Sequence, residues 1–120
     1  MPTHDRCCSI APYFKIIEGQ IDRFKQLCEQ FVARSSVEPK CLYYGFSFNG
    51  SVAYCREGYE DADGLLAHLE NVSDLLQQAL EMAEIVRLEI HGPEEELQKL
   101  YQPLAQYNPR YFVLYCGFRR

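Results

Sequence analysis

Asn49-Gly50 stands between two alternating runs, Leu42-Tyr43-Tyr44-Gly45-Phe46-Ser47-Phe48 and Ser51-Val52-Ala53-Tyr54-Cys55-Arg56-Glu57. An Asn-Gly connection between such runs predicts a two-residue type I′ hairpin, because both turn residues need positive φ. The turn sets the expected register. Phe48 should face Ser51, Phe46 Ala53, Tyr44 Cys55 and Leu42 Glu57, all on one side of a sheet. Tyr43, Gly45, Ser47, Val52, Tyr54 and Arg56 then share the other side.

The flanking segments extend this pattern. Residues 1–9 read as a tail. Ile10 to Ile17 reads as a strand, with Pro12 expected near its start or on an edge because proline removes a ladder donor. Ile21, Phe24, Leu27, Cys28, Phe31 and Val32 recur at helical spacing. Asp61 or Asp63 opens a helix carrying Ala62, Leu65, Leu66, Leu69 and Val72. Ser73 is the expected N-cap of a second, with Leu75, Leu76, Ala79, Leu80 and Met82. Residues 84–91 alternate, with Val86, Leu88 and Ile90 on one face and Arg87, Glu89 and His91 on the other. Pro93-Glu94-Glu95-Glu96 is a helix start, with acids at the positive end of the dipole. Leu97, Leu100 and Leu104 are the stripe of that helix. Phe112 to Phe118 is the expected last strand.

The order β-α-β-β-α-α-β-α-β predicts one α+β domain over residues 10–120. It is a ferredoxin-like antiparallel sheet with helices on one face, plus an added helix and a terminal strand. The uncovered face would carry Tyr43, Tyr54, Arg56, Arg87 and Glu89. Aromatics and charges mixed in this way suit a partner sheet, so a homodimer joined through that face is expected.

Net charge is −5 with both signs interspersed and no basic stripe, which argues against nucleic-acid binding. No signal-peptide core is evident, and no segment approaches the ~20 apolar residues of a membrane span, so a cytoplasmic protein is expected. The six cysteines form no C-x-x-C pair and no zinc spacing. Cys28, Cys41, Cys55 and Cys116 read as buried thiols. Cys7-Cys8 with His4 is a weak metal-like cluster at the terminus, for which a frayed tail is the simpler reading. No nucleotide-binding glycine motif, nucleophile elbow or zinc signature is present, so neither cofactor nor metal is expected.

Chemistry concentrates where the hairpin hands over to a helix, in Arg56-Glu57-Gly58-Tyr59-Glu60-Asp61 and on to His68. Glu57 ends its strand on the helix-facing side with Cys55. A carboxylate there either reaches solvent and caps the next helix, or serves a cleft as base or anchor with its pKa raised by apolar surroundings. His68 flanks its helix stripe. It is either a semi-buried structural histidine or an acid-base group lining a pocket. Tyr44 and Tyr59 could give hydrogen bonds to an oxygen-rich ligand. Glu57 and His68 are the catalytic candidates, and Tyr44, Tyr59 and Cys55 the substrate-binding ones. Both catalytic candidates should line one cavity.

The element order resembles the antibiotic-biosynthesis-monooxygenase superfamily of dimeric α+β barrels, over roughly residues 10–118. The residues that carry the resemblance are Tyr44-Gly45-Phe46-Ser47-Phe48-Asn49-Gly50, Arg56-Glu57-Gly58-Tyr59, His68-Leu69-Glu70-Asn71-Val72 and His91-Gly92-Pro93. Members commonly end a strand on an acid-x-aromatic pair and carry a helical His about ten residues on. The resemblance implies a small-molecule-binding homodimer, with a cofactor-independent monooxygenase or isomerase reaction on a small phenolic or enolisable compound. It equally admits a non-catalytic ligand-binding or stress-associated dimer, or a haem-binding or haem-degrading protein with His68 as axial ligand. The Trp used by quinone-forming and haem-degrading members has no counterpart in this chain, which contains no Trp.

Overall fold

The computed structural model describes residues 5–120; the His4 of the terminal cluster lies outside them. The elements are β1 (Cys8–Ile16), α1 (Ile21–Ser35), β2 (Cys41–Asn49), β3 (Val52–Tyr59), α2 (Ala62–Asn71), α3 (Ser73–Met82), β4 (Ala83–Gly92), α4 (Glu94–Leu97), a 3-10 turn (Ala105–Tyr107) and β5 (Arg110–Val113). The five strands form one mixed sheet in the order β2-β3-β1-β4-β5. All neighbours are antiparallel except β4 and β5. The helices cover one face, giving the expected ferredoxin-like α+β architecture. No helix among the described residues is long and apolar enough to cross a membrane.

The hairpin forms one turn position later than expected. Asn49 pairs with Val52, Phe48 with Ala53, Phe46 with Cys55 and Tyr44 with Glu57. Gly50 alone takes positive φ, at 58°, so the turn is not type I′. The slip moves each pairing by two residues, and because strand side chains alternate, every one keeps its face. Leu42 is the exception. It falls in a bulge between Cys41 and Tyr43 and is half-exposed rather than opposite Glu57.

β1 starts at Cys8, which is fully buried, so residues 8 and 9 belong to the sheet and not to a tail. Pro12 lies in the middle of this central strand. The ladder to β3 lapses at Ala11 and Pro12, between the pairs Ile10–Glu57 and Tyr13–Tyr54, which accommodates the missing N–H. The β1–β4 pairing shifts between Tyr13 and Phe14, which face Arg87 and Ile85. Val86 is the extra residue and is exposed, while Ile85 turns inward.

One core cluster packs Phe24, Leu27 and Phe31 of α1 with Leu75 and Ala79 of α3 over Phe14 and Ala53. A second joins Leu65 of α2 with Leu97, Leu100 and Leu104 over Ile10 and Ile90. Val32 and Leu80, read as stripe residues, are exposed at the stripe edges. Cys41 is only partly buried, and Cys116 is exposed. Ser73 opens α3 without capping it; Val72 holds the cap position. The last helix is one turn long. Beyond Leu97 the chain runs in successive turns that still bury Leu100 and Leu104. β5 is four residues long and ends at Val113, leaving Tyr115 and Phe118 exposed outside it.

Candidate functional site

The site is built where β3 delivers Glu57 and α2 delivers His68. Asp61 caps α2 by accepting the Gly64 N–H at 2.9 Å, and Lys40 holds the Asp61 carboxylate at 2.9 Å. The buried carboxylate of Glu96 accepts the Ala62 N–H at 3.0 Å. Arg6, and Lys99 at 3.2 Å, neutralise Glu96. Two acids from distant parts of the chain thus fix the first turn of α2 against the sheet. That orientation carries His68 over the helix-facing end of β3.

Glu57 and His68 are 5% and 2% exposed. Glu57 Oε1 lies 3.4 Å from His68 Nε2 and accepts the Tyr59 hydroxyl at 2.6 Å. His68 Nδ1 lies 2.9 Å and 3.1 Å from the two oxygens of Glu38. Asn71, three residues along α2, donates to Glu38 at 2.7 Å and to the Arg34 carbonyl at 3.3 Å. The imidazole is therefore clamped between two carboxylates. A carboxylate can only accept, so Glu38 fixes the proton on Nδ1 and leaves Nε2 to exchange a proton with Glu57. The rings of Tyr44 and Tyr59 lie against His68, with centroids 5.2 and 5.1 Å from it.

Glu57, His68, Tyr44 and Cys55 line one small cavity of about 50 Å³. Its remaining wall is apolar, with Ile10, Pro12, Phe31, Val72 and Leu88 among the contributors. Burial drives the Glu57 carboxyl above its ordinary range; His68 and the hydrogen bonds from Tyr59 and Cys55 pull it back only in part. Burial, reinforced by the charge of Glu57, raises the Tyr44 and Tyr59 phenols and the Cys55 thiol. These three groups stay protonated and serve as donors.

All five residues singled out from the sequence lie in this region; Tyr59 supports Glu57 from behind. The sequence pattern assigns no site role to Glu38 or Asn71. Glu38 sits in the α1–β2 connection, where neither periodicity nor a motif marks it. Its position is set by two backbone bonds, its own N–H to Ser35 at 3.1 Å and the Cys41 N–H to its carbonyl at 3.3 Å. Nδ1 is held by Glu38, and Nε2 faces Glu57 at 3.4 Å. Among the described residues no group of three or more His, Cys, Asp or Glu is arranged to hold a metal ion.

No protein-family profile and no curated protein sequence matches the chain. Solved structures do match. MupZ from Pseudomonas fluorescens is 51% identical, with 96% of this chain and 95% of that one covered and a TM-score of 0.91. The chain belongs to the MupZ family. A candidate antibiotic biosynthesis monooxygenase from Nitrosomonas europaea shares the fold at 13% identity, with a TM-score of 0.69 over 77% of this chain and 94% of that one. Another from Caulobacter crescentus does so at 16% identity and a TM-score of 0.65, over 72% and 88%. These two likenesses show a shared fold, the one that the resemblance read from the sequence leads one to expect.

Proposed function

We propose that this protein is an isomerase-like proton-transfer catalyst acting on a largely apolar compound with an enolisable or phenolic oxygen function. The observation that carries this reading is the buried Glu57 carboxyl beside His68 Nε2, with Nδ1 anchored on Glu38. Glu57 as carboxylate removes a proton from the carbon next to a carbonyl. The C–H electron pair moves into a new C=C bond and the carbonyl oxygen takes the negative charge. Imidazolium at His68 gives its Nε2 proton to that oxygen, and Tyr44 stabilises it by hydrogen bonding. Where a C=C adjoins the α-carbon, return of the Glu57 proton to the far carbon of the resulting dienol, as the enol O–H gives its proton back to His68, completes a double-bond shift in which nothing is oxidised. The raised pKa suits Glu57 to this task, because a stronger base near neutrality is a better proton acceptor.

The test is hydrogen-deuterium exchange at the α-carbon of simple methyl ketones in heavy water, followed by proton NMR. Wild-type protein should accelerate exchange, and Glu57→Gln and His68→Ala should each slow it about a hundredfold or more. Exchange equal to the buffer rate, or unaffected by Glu57→Gln, would leave a non-catalytic binding protein as the better account.

The protein is further proposed to act as a cytoplasmic homodimer joined through the open sheet face. There Arg56 lies over the Tyr43 ring at 5.0 Å and Tyr13 packs on Tyr54 at 4.8 Å. Phe112, stacked on the His91 ring of that face, adds exposed apolar surface. Such surface on a sheet is best covered by its own copy.

A further inference from the structure

The cavity at Glu57 is too small to hold a substrate by itself. Its volume of about 50 Å³ takes no more than a few waters, at roughly 10–15 Å³ each on the same measure. A larger space lies outside it. Between α2, α3 and the turns at 103–107 runs a surface groove of about 270 Å³. Leu69, Leu76, Leu104 and Tyr107 line both spaces. They form a common wall, with the acid-base pair on one side and the groove on the other. Leu66 and Leu80 continue the apolar floor outward, and Leu80 is 42% exposed, although a helix-surface position there would suit a polar residue. Glu70, Ser73, Gln77 and Gln106 rim the groove.

We propose that this groove is the binding subsite for the aliphatic chain of an elongated substrate, whose oxygen-bearing end passes the common wall to reach Glu57 and His68. This rests on the acid-base reading above and specifies its substrate as a long-chain oxygenated molecule rather than a compact one. Only the reacting end needs to enter the small cavity. The chain lies in the groove, and its far end emerges at the polar rim.

The probes are butanone, octanone and dodecanone, titrated into the full-length protein by calorimetry. Affinity should rise roughly threefold per added methylene while the chain fills the groove. Leu80→Glu changes a half-exposed site and should fold. By placing a charge along the chain it should cut dodecanone affinity on the order of tenfold and flatten the dependence on length. Glu57→Gln should keep the length dependence while losing deuterium exchange, which separates the groove from the chemistry. No binding of dodecanone, a flat length series in wild-type protein, or a slope unchanged by Leu80→Glu would overturn the subsite even if exchange persists. Length dependence without exchange in wild-type protein would support the subsite and overturn the catalytic reading.

Discussion

Glu57 decides the character of the site because it is a carboxylate in an apolar wall. Its ionised form is disfavoured by burial, and the folded protein favours the proton. A folded-state pKa raised above the unfolded one contributes stability below the unfolded value. That contribution is lost as pH climbs through the folded value. The wild-type protein should therefore lose stability, relative to Glu57→Gln, as pH rises from the ordinary carboxylate range of about 4.3 toward neutrality. Urea denaturation of both proteins at a series of pH values checks this; equal pH dependence would show that Glu57 is not held in the way described. The two carboxylates on His68 divide the work by exposure. Glu57 is shut in the apolar wall, whereas Glu38 is partly open to solvent and accepts a hydrogen bond from Asn71.

At the scale of elements, α2 is the part on which the site depends. Its stripe residue Leu65 is fully buried among Leu97, Leu100 and Tyr59. Leu65→Ala should cost about 2–5 kcal/mol in a denaturation experiment, and an unchanged midpoint would mean the helix is not docked on that cluster. Much of this layer was legible in the sequence. The hairpin faces survived an error in the turn because a two-residue slip preserves alternation, and the Asp61 cap and the α1 and α2 stripes were visible as periodicity. The failures share a cause, which is tertiary pairing that leaves no local mark. A bulge opposite Tyr13 exchanged Val86 for Ile85, and the lapse of the β1–β3 ladder at Ala11 and Pro12 let proline occupy a central strand. Glu38 carries no mark in the sequence because a loop acid gains its role only from the helix folded against it.

As a whole molecule, the sheet has two faces with different duties. The helix side encloses Glu57 and His68, and the open side presents Tyr43, Tyr54 and Arg56. If two copies meet there, Tyr54→Glu should shift the protein toward monomer, because association would desolvate a new charge. Light scattering at micromolar concentration reads this directly, and a monomeric wild-type protein would remove the dimer. The fold on the enclosed side amounts to a frame that holds one carboxyl in an apolar wall next to a clamped imidazole. The most direct test is a pH titration of the Glu57 carboxyl carbon by carbon-13 NMR. The account predicts a midpoint well above the ordinary carboxylate range, and a still higher one in His68→Ala, since the histidine is what draws it down. A midpoint at or below the ordinary range would contradict it.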